Sequence, residues 1–140
     1  MNIKGTVTKV VKYRKTNNPF EICKAMDIIV RYECLGNILG YCDTHFRMRT
    51  IHINNDAPDL LHPFICAHEL GHVILHKNIN TPFLRKNTLF SIDKIEREAN
   101  TFAVELLLPD SIIIDNEGVN FYSLARCAGI PEGLESLKIL

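Results

Sequence analysis

The chain of 140 residues has no tryptophan, no CxxC pair and no net charge, because sixteen basic and sixteen acidic residues cancel. A neutral chain has no general attraction to nucleic acid or to an anionic membrane. None of its apolar runs reaches the roughly 18 residues of a membrane span, and residues 1–15 lack the apolar run of a signal peptide. We therefore expect a cytoplasmic protein that contacts no membrane and does not bind nucleic acid directly.

Cysteine is present, but its pattern excludes two common uses. The cysteines number five, which is odd, and no two of them form a CxxC pair. A disulfide framework or a zinc knuckle would need paired, regularly spaced thiols. We expect buried free thiols at Cys23, Cys34, Cys42, Cys66 and Cys127.

Three short segments have the pattern of β-strands, within a chain whose length and hydrophobic content of 46% predict one globular domain. Residues 27–33 and 38–42 flank a turn signal, Gly36-Asn37, and predict a hairpin. Residues 47–54 alternate with period two and predict a third strand, at an edge of the sheet.

Helices are predicted before and after these strands. Pro19 suits the first turn of a helix that runs to about Met26, whereas residues 5–15 fit a helix or a strand. Further helices are expected at 64–76 and 91–108 and in two short segments, 120–130 and 131–140, with a connection at 78–88. The sum is an α+β fold, a small and mostly antiparallel three-stranded sheet packed with helices.

The segment ICAHELGHVILH, residues 65–76, places four ionisable side chains in an otherwise apolar helix. On a helical wheel the apolar residues share one side, and the other side carries His68, Glu69, His72 and His76. This face consists almost entirely of side chains that bind metals. The segment is therefore predicted to line a cleft with that face.

The spacing within this helix is that of the H-E-x-x-H motif. His68 and His72 are one turn apart, so two imidazoles can converge on one tetrahedral zinc ion. Glu69 is rotated away from the ion and can reach its bound water. Zinc lowers the pKa of that water to near 7, and Glu69 is the expected general base.

A third protein ligand is expected, because catalytic zinc usually has three. The metzincin extension is excluded, since Leu75 and Asn78 stand where that class has glycine and histidine. Residues 91–108 offer Glu96, Glu98 and Glu105 as carboxylate ligands, and helical geometry alone leaves the choice among them open.

Two motifs together resemble the ImmA/IrrE family of metallo-endopeptidases. They are AHELGHVILH and, about two dozen residues later, EREANTFAVELLLP; the likeness extends upstream to NPFEICKAMDIIV and TIHIN and covers roughly residues 15–110. The resemblance implies a zincin-like active-site helix with one zinc ion held by His68, His72 and Glu98. It also implies a protein substrate, typically a helix-turn-helix transcriptional repressor, often in a mobile element.

Three further polar residues are candidates for supporting the site. His76 lies one turn beyond His72 and is predicted either to bond the site or a substrate, or to interact with the helix C-terminus. Asn100 is placed to orient a ligand through a hydrogen bond. His52 faces either the cleft or solvent from the third strand.

The last thirty residues have a helix-turn-helix-like outline but a poor charge for binding DNA. Between 123 and 140, Arg126 and Lys138 are offset by Glu132 and Glu135. We therefore expect a zinc metallopeptidase core at 1–110 and a helical extension packed on it at 111–140.

Other functions share these features. The first is a catalytically silent metal-binding module that holds a repressor or antitoxin, although an intact Glu69 argues against it. A DNA-binding regulator and a hydrolase of other amides are the remaining alternatives. The function favoured by the sequence is a zinc-dependent endopeptidase.

Overall fold

The computed structural model describes residues 1–77 and 89–139, with the side chains of the second range described from residue 94. The predicted connection 78–88 lies outside the described residues. The elements are α1 (Ile3–Arg14), α2 (Pro19–Ala25), β1 (Ile29–Glu33), β2 (Gly40–His45), β3 (Met48–Asn54), a 3₁₀ turn (Asp59–Leu61), α3 (His62–Leu75), α4 (Leu89–Leu107), α5 (Asp110–Asp115), α6 (Phe121–Cys127) and a second 3₁₀ turn (Leu134–Leu137). The α+β class and the three-stranded sheet are confirmed.

The first helices begin at asparagine caps. The side chain of Asn2 accepts a hydrogen bond from the backbone N–H of Gly5 at the start of α1. Of the helix and the strand considered for residues 5–15, the structure shows the helix, which ends at Arg14. Asn18 caps α2 in the same way, and Pro19 occupies the first turn as predicted.

The sheet is mixed, with strand order β1-β3-β2. β1 pairs with β3 in parallel, and β2 pairs with β3 antiparallel. The predicted hairpin between 27–33 and 38–42 is therefore wrong, as is the edge position of the third strand. The hairpin joins β2 and β3 instead, through Phe46 and Arg47 in the left-handed region, and no glycine marks this turn in the sequence.

Burial explains why β3 is central. Ile51 and Ile53 are fully buried and point from β3 into the main core, so this strand gains most from being paired on both sides. His52, between Ile51 and Ile53, lies on the opposite face of the sheet. The face that carries the two isoleucines packs on α3, so the H-E-x-x-H motif of α3 lies directly against the sheet.

The C-terminal residues pack on α4 around a second apolar cluster of Val104, Leu108, Ala125 and Ile130. Pro109 ends α4 as predicted, but it also starts α5, a helix that was not predicted. The final turn is fixed by Glu105, which accepts hydrogen bonds from Lys138 Nζ at 2.7 Å and from the backbone N–H of Ile139 at 2.6 Å.

The prediction of buried free thiols is confirmed for three of the five cysteines. Within the described ranges the cysteines are all free; Cys23, Cys42 and Cys66 are buried, whereas Cys34 and Cys127 are exposed. Among the same residues, no helix combines the length and apolarity that a membrane crossing requires.

Candidate active site

Two glycines let the neighbouring elements approach the motif helix α3 closely. A Cβ atom at Gly71 would lie 3.0 Å from Cβ of Phe102 on α4. A Cβ atom at Gly40 would lie 2.7 Å from the side chain of Ile65 and 3.7 Å from Cγ of Glu69. The H-E-x-x-H motif therefore lies between α4 on one side and the beginning of β2 on the other.

The structure brings His68, Glu69 and His72 together as one buried cluster. Their nearest ligand atoms all lie within 4.8 Å of one another. Oε2 of Glu69 is 3.8 Å from Nε2 of His68. The polar face predicted from the helical wheel is real, but it is enclosed by neighbouring elements.

The carboxylate that meets both imidazoles is Glu96. Its Oε2 lies 3.0 Å from Nε2 of His68, and its Oε1 lies 3.0 Å from Nε2 of His72. Two ligands on a tetrahedral zinc ion at 2.0–2.1 Å are about 3.3 Å apart. Each imidazole nitrogen therefore lies from a Glu96 oxygen at nearly the distance between two ligands of one zinc ion, and the donor set, two imidazoles and a carboxylate, suits zinc.

The structure places Glu98, the third ligand that the family resemblance implies, beside a different histidine. Oε1 of Glu98 lies 3.2 Å from Nε2 of His76 and is not in contact with the paired imidazoles. The reason is the pairing of the two helices, since His68 faces Asn100 and His72 faces Glu96 in antiparallel order. Residues 96 and 100 are one turn apart and share a face of α4, whereas residue 98 lies on a different one.

The amide of Asn100 fixes the ring of His68. Its Oδ1 lies 2.7 Å from Nδ1 of His68, and it can only accept the proton of that nitrogen. In the metal-free structure the other nitrogen, Nε2, donates to Glu96; with a metal ion bound there, Nε2 would carry no proton. The contact of Asn100 is therefore with His68, whose ring it orients.

A chain of buried side chains continues behind His72. Its Nδ1 lies 3.1 Å from Nδ1 of His76, and Nε2 of His76 lies 3.2 Å from Glu98. If Nε2 of His72 holds a metal ion, its Nδ1 carries the proton and donates it to His76, which in turn donates from Nε2 to Glu98. Every hydrogen bond in this chain is satisfied by that one set of tautomers.

His52 does not reach the site. In the register of the sheet it pairs with Tyr41, whereas the adjacent pair of Gly40 and Ile53 points towards α3. His52 therefore faces the opposite side of the sheet, where its ring stacks on Tyr41 and its Nδ1 contacts Glu33. Of the two positions considered for His52, the structure shows the one that faces away from the cleft, where it packs on the sheet surface.

The contacts of Glu96 set the protonation of the metal-free cluster. Burial opposes ionisation of Glu96, but hydrogen bonds from His68 and His72 outweigh it and hold the pKa of this carboxyl well below its ordinary value. Burial likewise opposes the charging of His68, but the pKa of His68 is raised because Glu96 stabilises its cation. Burial lowers the pKa of His72.

The sequence contains a spacing that favours Glu96 as the third ligand. A ligand and its orienting residue on one helix must share the face that meets His68 and His72, and only Glu96 lies one turn before Asn100. Glu105, the third candidate, is buried on the same helix and binds Lys138 in the C-terminal turn. It therefore anchors the fold and lies away from the imidazoles.

Comparison with known proteins identifies the family of this chain. The family model for the IrrE N-terminal-like domain, peptidase M78, matches residues 23–134. A protein of Bacillus phage phi105 named "Uncharacterized immunity region protein 2" is 40% identical over 141 residues, covering 99% of this chain and 89% of that protein. "Metallopeptidase ImmA" of Bacillus subtilis strain 168 is 39% identical over 143 residues, covering 98% of this chain and 83% of that protein. These matches confirm the resemblance seen in the two motifs, and the chain therefore belongs to the peptidase M78 family.

Proposed function

We propose that the protein is a zinc-dependent endopeptidase that binds one zinc ion per chain through His68, His72 and Glu96 and uses Glu69 as its general base. The observation that carries the proposal is the carboxylate of Glu96, which contacts both motif imidazoles at 3.0 Å. When bound, zinc would act as a Lewis acid that activates water and polarises a carbonyl oxygen.

The residues of the chain divide the remaining work. Glu69 is buried beside His68, where its carboxylate can accept a proton from the attacking water and later return it to the leaving amine. Asn100 and His76 hold the two imidazoles in the tautomers that present Nε2 to the ion. Burial of the cluster excludes bulk water and strengthens each of these interactions.

β3 is paired on both sides, so no substrate strand can add to it. The start of β2 borders the proposed general base, because its first residue, Gly40, lies beside Glu69.

The proposed substrate is a transcriptional repressor of the helix-turn-helix class, cleaved in the cytoplasm, as the family resemblance implies. Relief of repression would then follow from cleavage. The tail is not proposed to bind DNA, because its basic residues are engaged in ion pairs, Arg126 with Glu135 and Lys138 with Glu105.

The proposal is tested by comparing wild type with Glu69→Gln. Each protein is assayed for bound zinc and incubated with the transcriptional regulator encoded nearest to its gene. Zinc in both proteins and cleavage by wild type alone would support the proposed enzyme. Stable binding of the regulator without cleavage would favour the interaction module, and failure of wild type to retain supplied zinc would refute the metal site.

A further inference from the structure

A cleft of about 370 Å³ opens beside His68 and Glu69. Three separate segments of the chain supply its apolar walls: the residues leading into β2, the first turn of α3, and the C-terminal segment. We call this surface the apolar cleft, defined by Ile38, Leu39, Phe64, Ile65, Pro131 and Leu134. Its polar end consists of the catalytic cluster, so a peptide bond held there would place a neighbouring side chain between the apolar walls.

The wall that precedes β2 consists of side chains the core does not use. Ile38 is 38% exposed and Leu39 is 47% exposed, although both are large and apolar. A single exposed apolar residue is ordinary, but several that converge on one concave surface beside a catalytic group indicate a binding site.

The opposite wall comes from the C-terminal segment, far from the motifs in sequence. Leu134 is half-buried and touches both apolar clusters of the fold while also lining the cleft. Its position is fixed from both sides, by the ion pair of Arg126 with Glu135 and by the buried pair of Lys138 with Glu105. The wall is therefore preformed and rigid, as expected for a surface that selects among side chains.

The charges of the cleft limit its occupant further. The only ionisable side chains among its described lining residues are His68, Glu69 and Glu96, which form the catalytic cluster, and none of the lining residues is lysine or arginine. Among these described lining residues, an acidic side chain would find no cation beyond that cluster, and it would lose its hydration against the apolar walls. An aliphatic or aromatic side chain would bury its surface there at no such cost.

We infer that the apolar cleft is a specificity subsite that takes an aliphatic or aromatic side chain next to the scissile bond, and that Leu134 of the C-terminal segment is a specificity-determining residue. The inference rests on the proposed peptidase function and deepens it. It gives the residues after 110 a role in substrate choice, in addition to their packing against α4.

Cleavage-site profiling tests this directly. Zinc-loaded wild type is incubated with a mixture of peptides from a digested bacterial proteome, and the new termini are sequenced by mass spectrometry. We expect enrichment of Leu, Ile, Met and Phe at one position beside the cut. Leu134→Glu should lower the preference for leucine over alanine there, measured as a ratio of kcat/KM values, by about tenfold or more. Ile114→Glu is the matched control, because Ile114 is 71% exposed and lies outside the cleft.

The variants also separate a lost subsite from a lost fold. Leu134→Ala removes the wall without adding charge, and Ile38→Glu introduces the same charge from the opposite wall. Both should reduce the preference. Leu134→Ala also removes packing from both apolar clusters, whereas Ile38→Glu, which lies outside them, should keep the thermal unfolding midpoint close to that of Ile114→Glu. Cleavage without apolar enrichment, or a profile unchanged in all three cleft variants, would overturn the subsite and leave the proposed peptidase intact.

A binding assay keeps the inference testable if wild type cleaves none of these peptides. Fluorescein-labelled alanine peptides with and without a central leucine are titrated into zinc-loaded Glu69→Gln. Tighter binding of the leucine peptide, abolished by adding Leu134→Glu, would support the subsite even though the proposed function had failed with these substrates. Equal binding of the two peptides would refute the subsite.

Discussion

The Nδ1 atoms of His72 and His76 lie 3.1 Å apart, and the far nitrogen of His76 meets the carboxylate of Glu98 at 3.2 Å. The ring of His72 also faces Glu96, so these hydrogen bonds link the candidate metal position, through His76, to the half-buried carboxylate of Glu98. An imidazole held in this way has one tautomer and one orientation, which favours metal binding through Nε2. His76 is thereby a positioning residue.

Replacing His76 with phenylalanine should weaken zinc binding while preserving most of the apolar packing. The expected loss of zinc affinity is about 10- to 100-fold, the range typical of partners that orient a ligating histidine. Competition with a chromophoric chelator measures it without any substrate. His45→Phe is the control, since His45 is exposed in the β2–β3 hairpin. Equal zinc affinities in the two variants would contradict the positioning role.

The two neighbouring glutamates of α4 should differ sharply on conversion to glutamine. Glu96→Gln removes the carboxylate that contacts both imidazoles and should remove tight zinc binding. Glu98→Gln alters only the end of the histidine chain and should reproduce the smaller effect of His76→Phe. The visible spectrum of the cobalt-substituted proteins provides a second readout, because it reports the ligand set directly. A larger loss in Glu98→Gln than in Glu96→Gln would restore the assignment based on the family motif.

These paired glutamates also show how far the sequence could be interpreted. The helix of residues 64–76 and its H-E-x-x-H face were predictable, because an i, i+4 spacing is a local property. The choice between Glu96 and Glu98 depends on how α3 and α4 pair, which is a tertiary property. The same limit applies to β3, whose central position depends on the burial of Ile51 and Ile53 on one face and on pairing at both edges.

Any side chain at Gly71, the glycine of the H-E-x-x-H motif, should alter the candidate metal site. A methyl group at Gly71 would contact Cβ and the ring of buried Phe102 at 3.0 to 3.2 Å, and Phe102 Cβ can retreat only if α4 moves. Overpacking of this kind costs about 1–3 kcal/mol, whereas the gain in helix propensity from Gly to Ala is about 1 kcal/mol. Gly71→Ala is therefore expected to lower the free energy of unfolding modestly.

The same substitution should also affect zinc, because α4 carries Glu96. Urea unfolding of the metal-free protein measures the first effect, and chelator competition measures the second. Both values should fall together in Gly71→Ala. An increase in stability with unchanged zinc affinity would mean that Phe102 and α4 accommodate the methyl group without displacement.

Acid should release the contact between α5 and the C-terminal turn. Hydrogen bonds from Lys138 and then Lys4 hold the pKa of Asp110 below its ordinary value of 3.8. A carboxyl with a lowered pKa in the folded state stabilises the protein above its unfolded pKa, and this contribution is lost as the pH falls through the folded value. Asp110 is half exposed, so its contribution should stay below about 1 kcal/mol.

The expected result is a difference between wild type and Asp110→Asn that is present at pH 5.5 and shrinks as the pH falls below about 3.8. Urea unfolding of the metal-free proteins across this range measures it, with chelator present so that protonation of the zinc ligands does not contribute. Asp115→Asn, at the exposed end of the same helix α5, is the matched control. A difference that stays constant with pH would show that the substitution acts through packing, since only the charged carboxylate is lost on acidification.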